Sequence, residues 1–357
     1  MSKYSIPNNY TLFKEDLDLP LKSNLINWKL MDGKKILITG ASGFFGKWLI
    51  ETLLWAIEVL EIELNITILT RNKNTFCSNV PLTKNLVFEK KISFIETDLS
   101  KVDTSKFRNI DYIFHFATNS SPNKDLDWAR EQFNSSISGI RNVLEIAKNN
   151  PSCSVLVSSS GAIYKQLDSI FNDGFEETFN GPSEYLSDSY LYQLSKKNIE
   201  AISAFYSKNH GIRVLICRCF AFTGAYLPLS SNFAIGNFIE SAILGKDILI
   251  NSDGKSIRSY MYMSDLIIWL VSILQRGDSS RPYNVGSPFK ISIADLAFSV
   301  KELCNPNIKI VTTNINKENS IYYPSSDRVK RELNLDISVQ LDEAILKTYN
   351  WYKNFYK

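Results

Sequence analysis

Tyr192 and Lys196 stand four residues apart in Tyr192-Gln-Leu-Ser-Lys196, and on a helix that spacing puts a phenol and an ammonium on one face. Tyrosine ordinarily titrates near ~10, so service as a base near neutrality needs a shift of roughly 3 units, about 4 kcal/mol. A fixed cation one turn away and a hydroxyl donor are groups that supply such a shift. Hydroxyls precede the pair in Val157-Ser-Ser-Ser-Gly-Ala-Ile-Tyr164, and further upstream comes Gly40-Ala-Ser-Gly43-Phe-Phe-Gly46. A phosphate loop, a hydroxyl cluster and a tyrosine–lysine pair, in that order, imply hydride exchange with a nicotinamide dinucleotide. Tyr190 is no rival to Tyr192, because it has no lysine at i+4.

These residues need elements to hold them. Lys35–Thr39 is a short apolar run suited to a buried parallel strand, and an amphipathic helix is predicted over Phe44–Leu60. Glycines between a strand and a helix let backbone amides approach a pyrophosphate at the helix N-terminus. Ile66–Leu69 is the second strand, and Leu69-Thr-Arg71-Asn72 follows without the acid that accepts from a ribose 2′-hydroxyl. Arg71 tilts the cofactor toward NADP, whereas an arginine stacked on adenine would suit NAD equally. Asp98 is placed to receive the adenine amino group or to lie on an exposed loop. Further strands are predicted at Ile92–Glu96, Tyr112–Phe116, Ser154–Ser158 and Arg213–Cys217, with helices at Ser136–Lys148 and Leu191–Lys208. The alternation predicts an α/β fold, a Rossmann-like doubly wound parallel sheet. Ser158 to Ser160 then fall at the carboxyl end of a strand, where open sheets bind ligands. His115 ends a strand and is given no acid–base role.

The 357 residues exceed one ordinary core, and 44% hydrophobic with 22% charged residues is the balance of a globular protein. Residues 1–33 read as an extension packed on the outside, and 34–220 as the dinucleotide domain, with 261–286 returning to it. Residues 221–260 and 287–357 read as a smaller C-terminal substrate lobe. A net charge of +3, from 40 basic and 37 acidic residues, gives no footing for nucleic acid or a membrane surface. Cys77, Cys153, Cys217, Cys219 and Cys304 form no CxxC pair and no metal spacing, which reads as reduced thiols in a cytoplasmic protein. The apolar stretch Trp48–Leu69 is broken by Glu51, Glu58, Glu61 and Glu63 and cannot span a bilayer.

In this order Gly40-x-x-Gly43-x-x-Gly46, Asp98-Leu99, His115-Phe-Ala117, Asn134, Ser158–Tyr164, Tyr192-x-x-x-Lys196 and Arg218 resemble the extended short-chain dehydrogenase/reductases. Gly254-Lys-Ser-Ile-Arg258-Ser-Tyr-Met-Tyr-Met-Ser-Asp265 and Tyr283-Asn-Val-Gly286 extend the resemblance, to the nucleotide-sugar epimerase/dehydratase branch, over 34 to about 335. The resemblance implies that Tyr192 is the acid/base, that Lys196 binds the nicotinamide ribose, and that Ser160 bonds the reacting oxygen. It assigns Gly40, Ser42, Gly43, Phe44, Phe45, Gly46, Arg71, Asp98, Leu99, Phe116, Ala117, Asn134 and Ser158 to NAD or NADP. Thr118, Gly161, Tyr164, Asn232 (or Asn237) and Arg258 fall to the nucleotide sugar, Arg258 as the guanidinium gripping the diphosphate. Family members pair through two helices each, which implies a homodimer through the helices near 130–148 and 190–208.

Departures from the family pattern narrow the reaction. The 4,6-dehydratases carry an Asp-Glu pair after the catalytic hydroxyl, and a decarboxylase branch needs a glutamate nearby; here Gly161 and Ala162 follow Ser160. The usual asparagine three residues after the Arg218-type arginine is Ala221. A 4-epimerase of nucleotide sugars is the expected activity, with an NADPH-dependent 4-keto-6-deoxyhexose reductase as the alternative. A 4,6-dehydratase or a non-catalytic dinucleotide-binding regulator ranks below both.

Overall fold

The structure is a computed structural model that describes residues 12–79, 91–117, 126–164, 174–179, 190–229, 233–313 and 319–354. The main strands are β1 Lys34–Thr39, β2 Leu64–Thr70, β3 Ile92–Glu96, β4 Tyr112–His115, β5 Ser154–Ser160 and β6 Arg213–Cys219. Short strands follow at β7 Phe222–Thr223, β8 Ile248–Ile250, β9 Ile257–Arg258 and β10 Met261–Tyr262, then β11 Pro282–Val285, β12 Ile291–Ser292, β13 Ile310–Thr312 and β14 Ile321–Tyr322. The helices are α1 Lys14–Lys22, α2 Phe44–Leu60, α3 Lys73–Asn79, α4 Leu126–Lys148 and α5 Tyr190–His210, followed by α6 Ala234–Leu244, α7 Met263–Arg276, α8 Ile293–Cys304, α9 Asp327–Leu333 and α10 Leu341–Lys353.

Seven strands form one sheet in the order β11-β6-β5-β4-β1-β2-β3, every pair parallel. This is the doubly wound order, with β11 added at one edge. Strand residues alternate between two cores. Ile36, Ile38, Phe114, Leu156 and Leu215 join a cluster with α2 and α7. Leu37, Ile113, Val155, Val157 and Val214 join the opposite cluster with α4 and α5. Both faces are covered, which is why these strands read as apolar runs.

The structure lengthens some expected elements. β5 and β6 run on to Ser160 and Cys219, each strand pairing Ser160 with Cys219 at its end. α4 begins at Leu126 rather than near Ser136. The Ser135, Ser136 and Ser138 hydroxyls donate to carbonyls one turn back, which hides a helix behind a polar stretch.

The described part of the N-terminal extension packs on α2 and α7, burying Leu12, Leu17, Ile26, Trp28 and Met31. Buried Asp16 accepts from the Tyr262 hydroxyl at 2.7 Å and from Lys347 on α10 at 2.8 Å. Glu51 on α2 is wholly buried, accepting from the Leu12 amide at 2.9 Å and from the Tyr226 hydroxyl. Burial outweighs these donors and Lys47, raising Glu51 from 4.5 to about 7.

The folded chain therefore holds a proton at Glu51 that the unfolded chain releases, so this group's contribution to stability is present below about pH 4.5 and falls as pH rises to about 7. In Glu51→Gln, the loss of unfolding free energy between about pH 5 and about pH 7 shrinks by about 2 kcal/mol. Urea unfolding at the two pH values checks it, and an unchanged pH slope contradicts it.

Candidate active site

At the carboxyl end of β1 the chain turns at Gly40, with φ +70°. A Cβ there would stand 2.5 Å from the Ala117 nitrogen and the Phe116 carbonyl carbon, so the loops after β1 and β4 pack backbone to backbone. Gly43 caps α2 with no side chain on the helix amides, and Ser42 and Gly43 are exposed. Phe45 lies edge-on to Phe116 and Phe222, with centroids 5.9 and 5.0 Å away. At Gly46 a Cβ would meet the Ala41 Cα at 2.4 Å, so this glycine sets how closely α2 approaches the loop. A free helix N-terminus behind a glycine cradle fits a dinucleotide pyrophosphate.

Two strands away, β5 ends in the serine run. The Lys196 ammonium, 3% exposed, donates to the Ser158 carbonyl at 2.8 Å. It lies 5.8 Å from the centroid of the Tyr192 ring. Burial draws Lys196 down to about 8, while Cys219 and Glu200 oppose that fall. Tyr192 stands above the usual phenol range, because burial outweighs its hydrogen bond with Ser160, whereas the spacing to Lys196 predicts a downward shift. The Ser160 hydroxyl also accepts from the Ala162 amide at 3.1 Å. Phenol, ammonium and serine hydroxyl thus meet at one strand end. Such a group can pass a proton to or from a substrate oxygen while the cation supports a phenolate.

His115 is buried beside them and pulled down to about 3 by burial and by Lys196, so it stays neutral. Its Nδ1 shares a 2.8 Å bond with the Thr39 hydroxyl. Among the described residues no cluster of three or more His, Cys, Asp or Glu stands ready for a metal, and no helix is long and apolar enough to cross a membrane.

Other sequence candidates sit differently. Arg71 is exposed at the end of β2 and lies close enough to Asp98 to lower that carboxyl, after Ser100's bonds to it. Asp98 caps a short 3₁₀ turn, accepting from the Ser100 amide at 2.8 Å and hydroxyl at 2.7 Å. The Leu99 side chain packs at Gly139 of α4, while Asn134 is exposed on α4. Tyr164 needs correction as a substrate contact: its buried hydroxyl donates to Asn284 at 2.7 Å and accepts from Arg218 at 2.8 Å. It is sandwiched between Phe175 and Phe220, with centroids 5.2 and 6.0 Å away. Arg258 donates to the Ser320 carbonyl and hydroxyl, both at 2.8 Å. Thr118 and Asn232 lie outside the described residues.

Sequence reading missed Tyr322. Parallel pairing of β14 with β9 sets Tyr322 beside Arg258, and its phenol also hydrogen-bonds Ser160. No local spacing could have pointed to it. Nor could the sequence show that a Cβ on Gly161 would stand 2.7 Å from the Phe220 ring, so the position of a dehydratase acid is filled by an aromatic face.

A doubly wound sheet with a glycine cradle and a Ser-Tyr-Lys group at the carboxyl ends of its strands defines an extended short-chain dehydrogenase/reductase. Residues 36–286 match the family described as NAD dependent epimerase/dehydratase, and the chain belongs to it. The chain is 26% identical over 328 residues to UDP-glucuronic acid decarboxylase 6 of Arabidopsis thaliana, covering 91% of each. Its fold resembles that of a UDP-glucuronic acid 4-epimerase from Bacillus cereus solved with NAD, with TM-score 0.75, 20% identity, and 90% and 99% of the two chains covered. It likewise resembles an NAD-bound dTDP-glucose 4,6-dehydratase from Bacillus anthracis, with TM-score 0.73, 20% identity, and 90% and 97% covered.

Gly46→Ala should push α2 off the loop, lowering stability by about 1–3 kcal/mol and weakening dinucleotide binding about tenfold or more. Calorimetric melting and NADH fluorescence titration measure the two effects; undiminished NADH affinity would contradict the cradle.

Proposed function

We propose that this enzyme is a nucleotide-sugar 4-epimerase. What carries the reading is the Tyr192 phenol, hydrogen-bonded to Ser160 above the buried Lys196 ammonium, with no carboxylate at positions 161 or 162. Bound NAD supplies the acceptor and then the donor for the hydride at C4 of the hexose. Tyr192 takes the proton of the C4 hydroxyl as that hydroxyl is oxidised and gives it back after the ketone turns. Ser160 holds the same oxygen, and the charged Lys196 keeps the phenolate accessible. Cofactor contacts are proposed for Gly40–Gly46, Phe116, Ala117 and Ser158, and a diphosphate contact for Arg258. We assign the dinucleotide domain to 34–220 with 261–286, and the sugar-nucleotide lobe to 221–260 and 287–357.

The decarboxylase relatives suggest another reaction, but the glutamate expected of that branch is absent after Ser160. Arg71, exposed beyond β2 with no neighbouring acid in Leu69-Thr-Arg71-Asn72, favours a second reading, an NADPH-dependent reductase of 4-keto sugar nucleotides. Purified protein separates the two. An epimerase carries NAD through dialysis and interconverts C4-epimeric UDP-hexoses, followed by proton NMR, and Tyr192→Phe lowers that rate about 100-fold or more. Oxidation of NADPH by a 4-keto sugar nucleotide, with no interconversion, would sink the epimerase reading in favour of the reductase.

A second copy is the proposed partner. An apolar groove between α4 and α5 is lined by Ile137, Ala201, Ile202, Phe205 and Tyr206 with Arg141, and Phe205 is 59% exposed. Light scattering should give a dimer for the native chain and a monomer for Phe205→Glu; a native monomer contradicts the pairing.

A further inference from the structure

Behind the proposed site lies a charged network that plays no part in the proton exchange described above. Ser159 points away from the phenol and donates to Glu200 Oε1 at 2.5 Å. Arg218 on β6 grips the same carboxylate with two bonds, Nε to Oε1 at 3.0 Å and Nη2 to Oε2 at 2.8 Å. Both charged side chains are largely withdrawn from solvent, at 12% and 14% exposed. The remaining Arg218 nitrogen donates to the Tyr164 hydroxyl at 2.8 Å and to the Glu177 carbonyl at 2.9 Å. Glu177 in turn accepts from the Asn284 amide at 2.9 Å and faces Arg328 at 3.6 Å.

Place in the chain gives this network its meaning. Ser159 stands between Ser158, whose carbonyl holds Lys196, and Ser160, whose hydroxyl meets Tyr192. Glu200 stands one helical turn after Lys196. Two successive turns of α5 are therefore bonded to two successive residues of β5. A slide or roll of the helix would have to break both bonds. A buried ion pair is a poor device for stability alone, since apolar replacements often serve as well, whereas its bidentate geometry fixes direction.

We propose that Glu200 and Arg218 are positioning residues that set Lys196 and Ser160 against Tyr192 and hold the Lys196 ammonium charged. The proposal rests on the reading of Tyr192 and Lys196 given above. The groups facing Lys196 are Tyr192 and Glu200 on its own helix, the Ser158 carbonyl on β5, the Cys219 thiol on β6 and neutral His115 on β4. Glu200 is the carboxylate among them. Burial brings Lys196 to about 8 despite Glu200, so removing that carboxylate lets the ammonium lose its proton at lower pH. The Arg218 charge, then uncompensated, acts in the same direction.

The test needs no identified sugar. NADH affinity is read by fluorescence across about pH 6 to about pH 9.5, beside calorimetric melting, for the native chain, Glu200→Gln, Arg218→Lys and Ser159→Ala. In the native chain affinity should fall as pH rises through about 8. Glu200→Gln should bind about fivefold more weakly near neutrality and lose affinity about half a pH unit earlier. Arg218→Lys, which lacks the planar fork, should weaken binding similarly without rescue. A lowered melting temperature with native affinity and a native pH midpoint would show a structural brace only and overturn the proposal. Where Glu200→Gln does not fold, Ser159→Ala decides, because it keeps the ion pair and removes one bond. It should bind NADH about threefold more weakly with near-native melting, and native binding in that variant overturns the proposal. Lys196→Ala separates the two levels: native affinity and pH dependence there would defeat the site reading itself, and the clamp with it.

Discussion

The bond from the Lys196 ammonium to the Ser158 carbonyl, at 2.8 Å, is the constraint from which the rest of the site follows. An ammonium removed from water costs several kcal/mol unless it is paired, so α5 can bury this lysine only where an acceptor waits. The acceptor lies near the carboxyl end of β5. Lys196 therefore draws the first turns of α5 across that strand end, and Tyr192, one turn earlier on the same face, arrives at Ser160. The same burial that demands a partner also brings the lysine to about 8, within reach of neutrality. A surface lysine at the same spacing would keep its charge without directing it.

A second constraint fixes the other side of the sheet. Gly40 and Gly46 let three pieces of backbone touch: the β1 turn, the β4 turn and the first turn of α2. No side chain intervenes, so the helix amides stand at a distance set by peptide geometry alone. That distance can be as reproducible as the sheet itself, which suits a ligand held by its pyrophosphate at one end and by Lys196 at the other. The sheet makes the span rigid, because β1, β4 and β5 are consecutive neighbours, each buried on both faces.

What could be read from the chain was what depends on nearby residues. The glycine spacing, the tyrosine–lysine turn and the serine run are all short-range patterns, and each element containing them forms as expected. α4 was legible only in its second half, because serines that bond back to their own helix look like a loop in sequence. Tyr164 looked like a substrate contact from its place after the serine run. Its burial depends on Asn284, Arg218 and Phe175, which only the assembled sheet brings to it. Tyr322 and the pairing of Glu200 with Arg218 were hidden for the same reason. A strand register and a helix docking decide them, and neither leaves a periodic trace.

The absence of acids after Ser160 has two physical origins, and they carry different weight. At position 161 the ring of Phe220 occupies the space of any side chain, and that ring is itself held against Tyr322 at 4.9 Å and Tyr164 at 6.0 Å. A carboxylate could enter there only if Phe220 also changed, so one substitution does not lead toward dehydration. Position 162 is half-buried rather than enclosed. Ala162 does not stand at a sterically closed position, and what it lacks is simply a titratable group. The frame is shared with proteins named as decarboxylases, dehydratases and epimerases, so the frame cannot select the chemistry. Selection falls to the groups that can carry a proton beside Ser160, and among the described residues the phenols of Tyr192 and Tyr322 stand there. Tyr322 is pushed upward by burial and by Tyr192, while its bond with Ser160 and the Arg258 guanidinium act against that rise. Each phenol has a cation near it, Lys196 at 5.8 Å from the Tyr192 ring centroid and Arg258 beside Tyr322, and only Tyr192 shares a helix face with its cation.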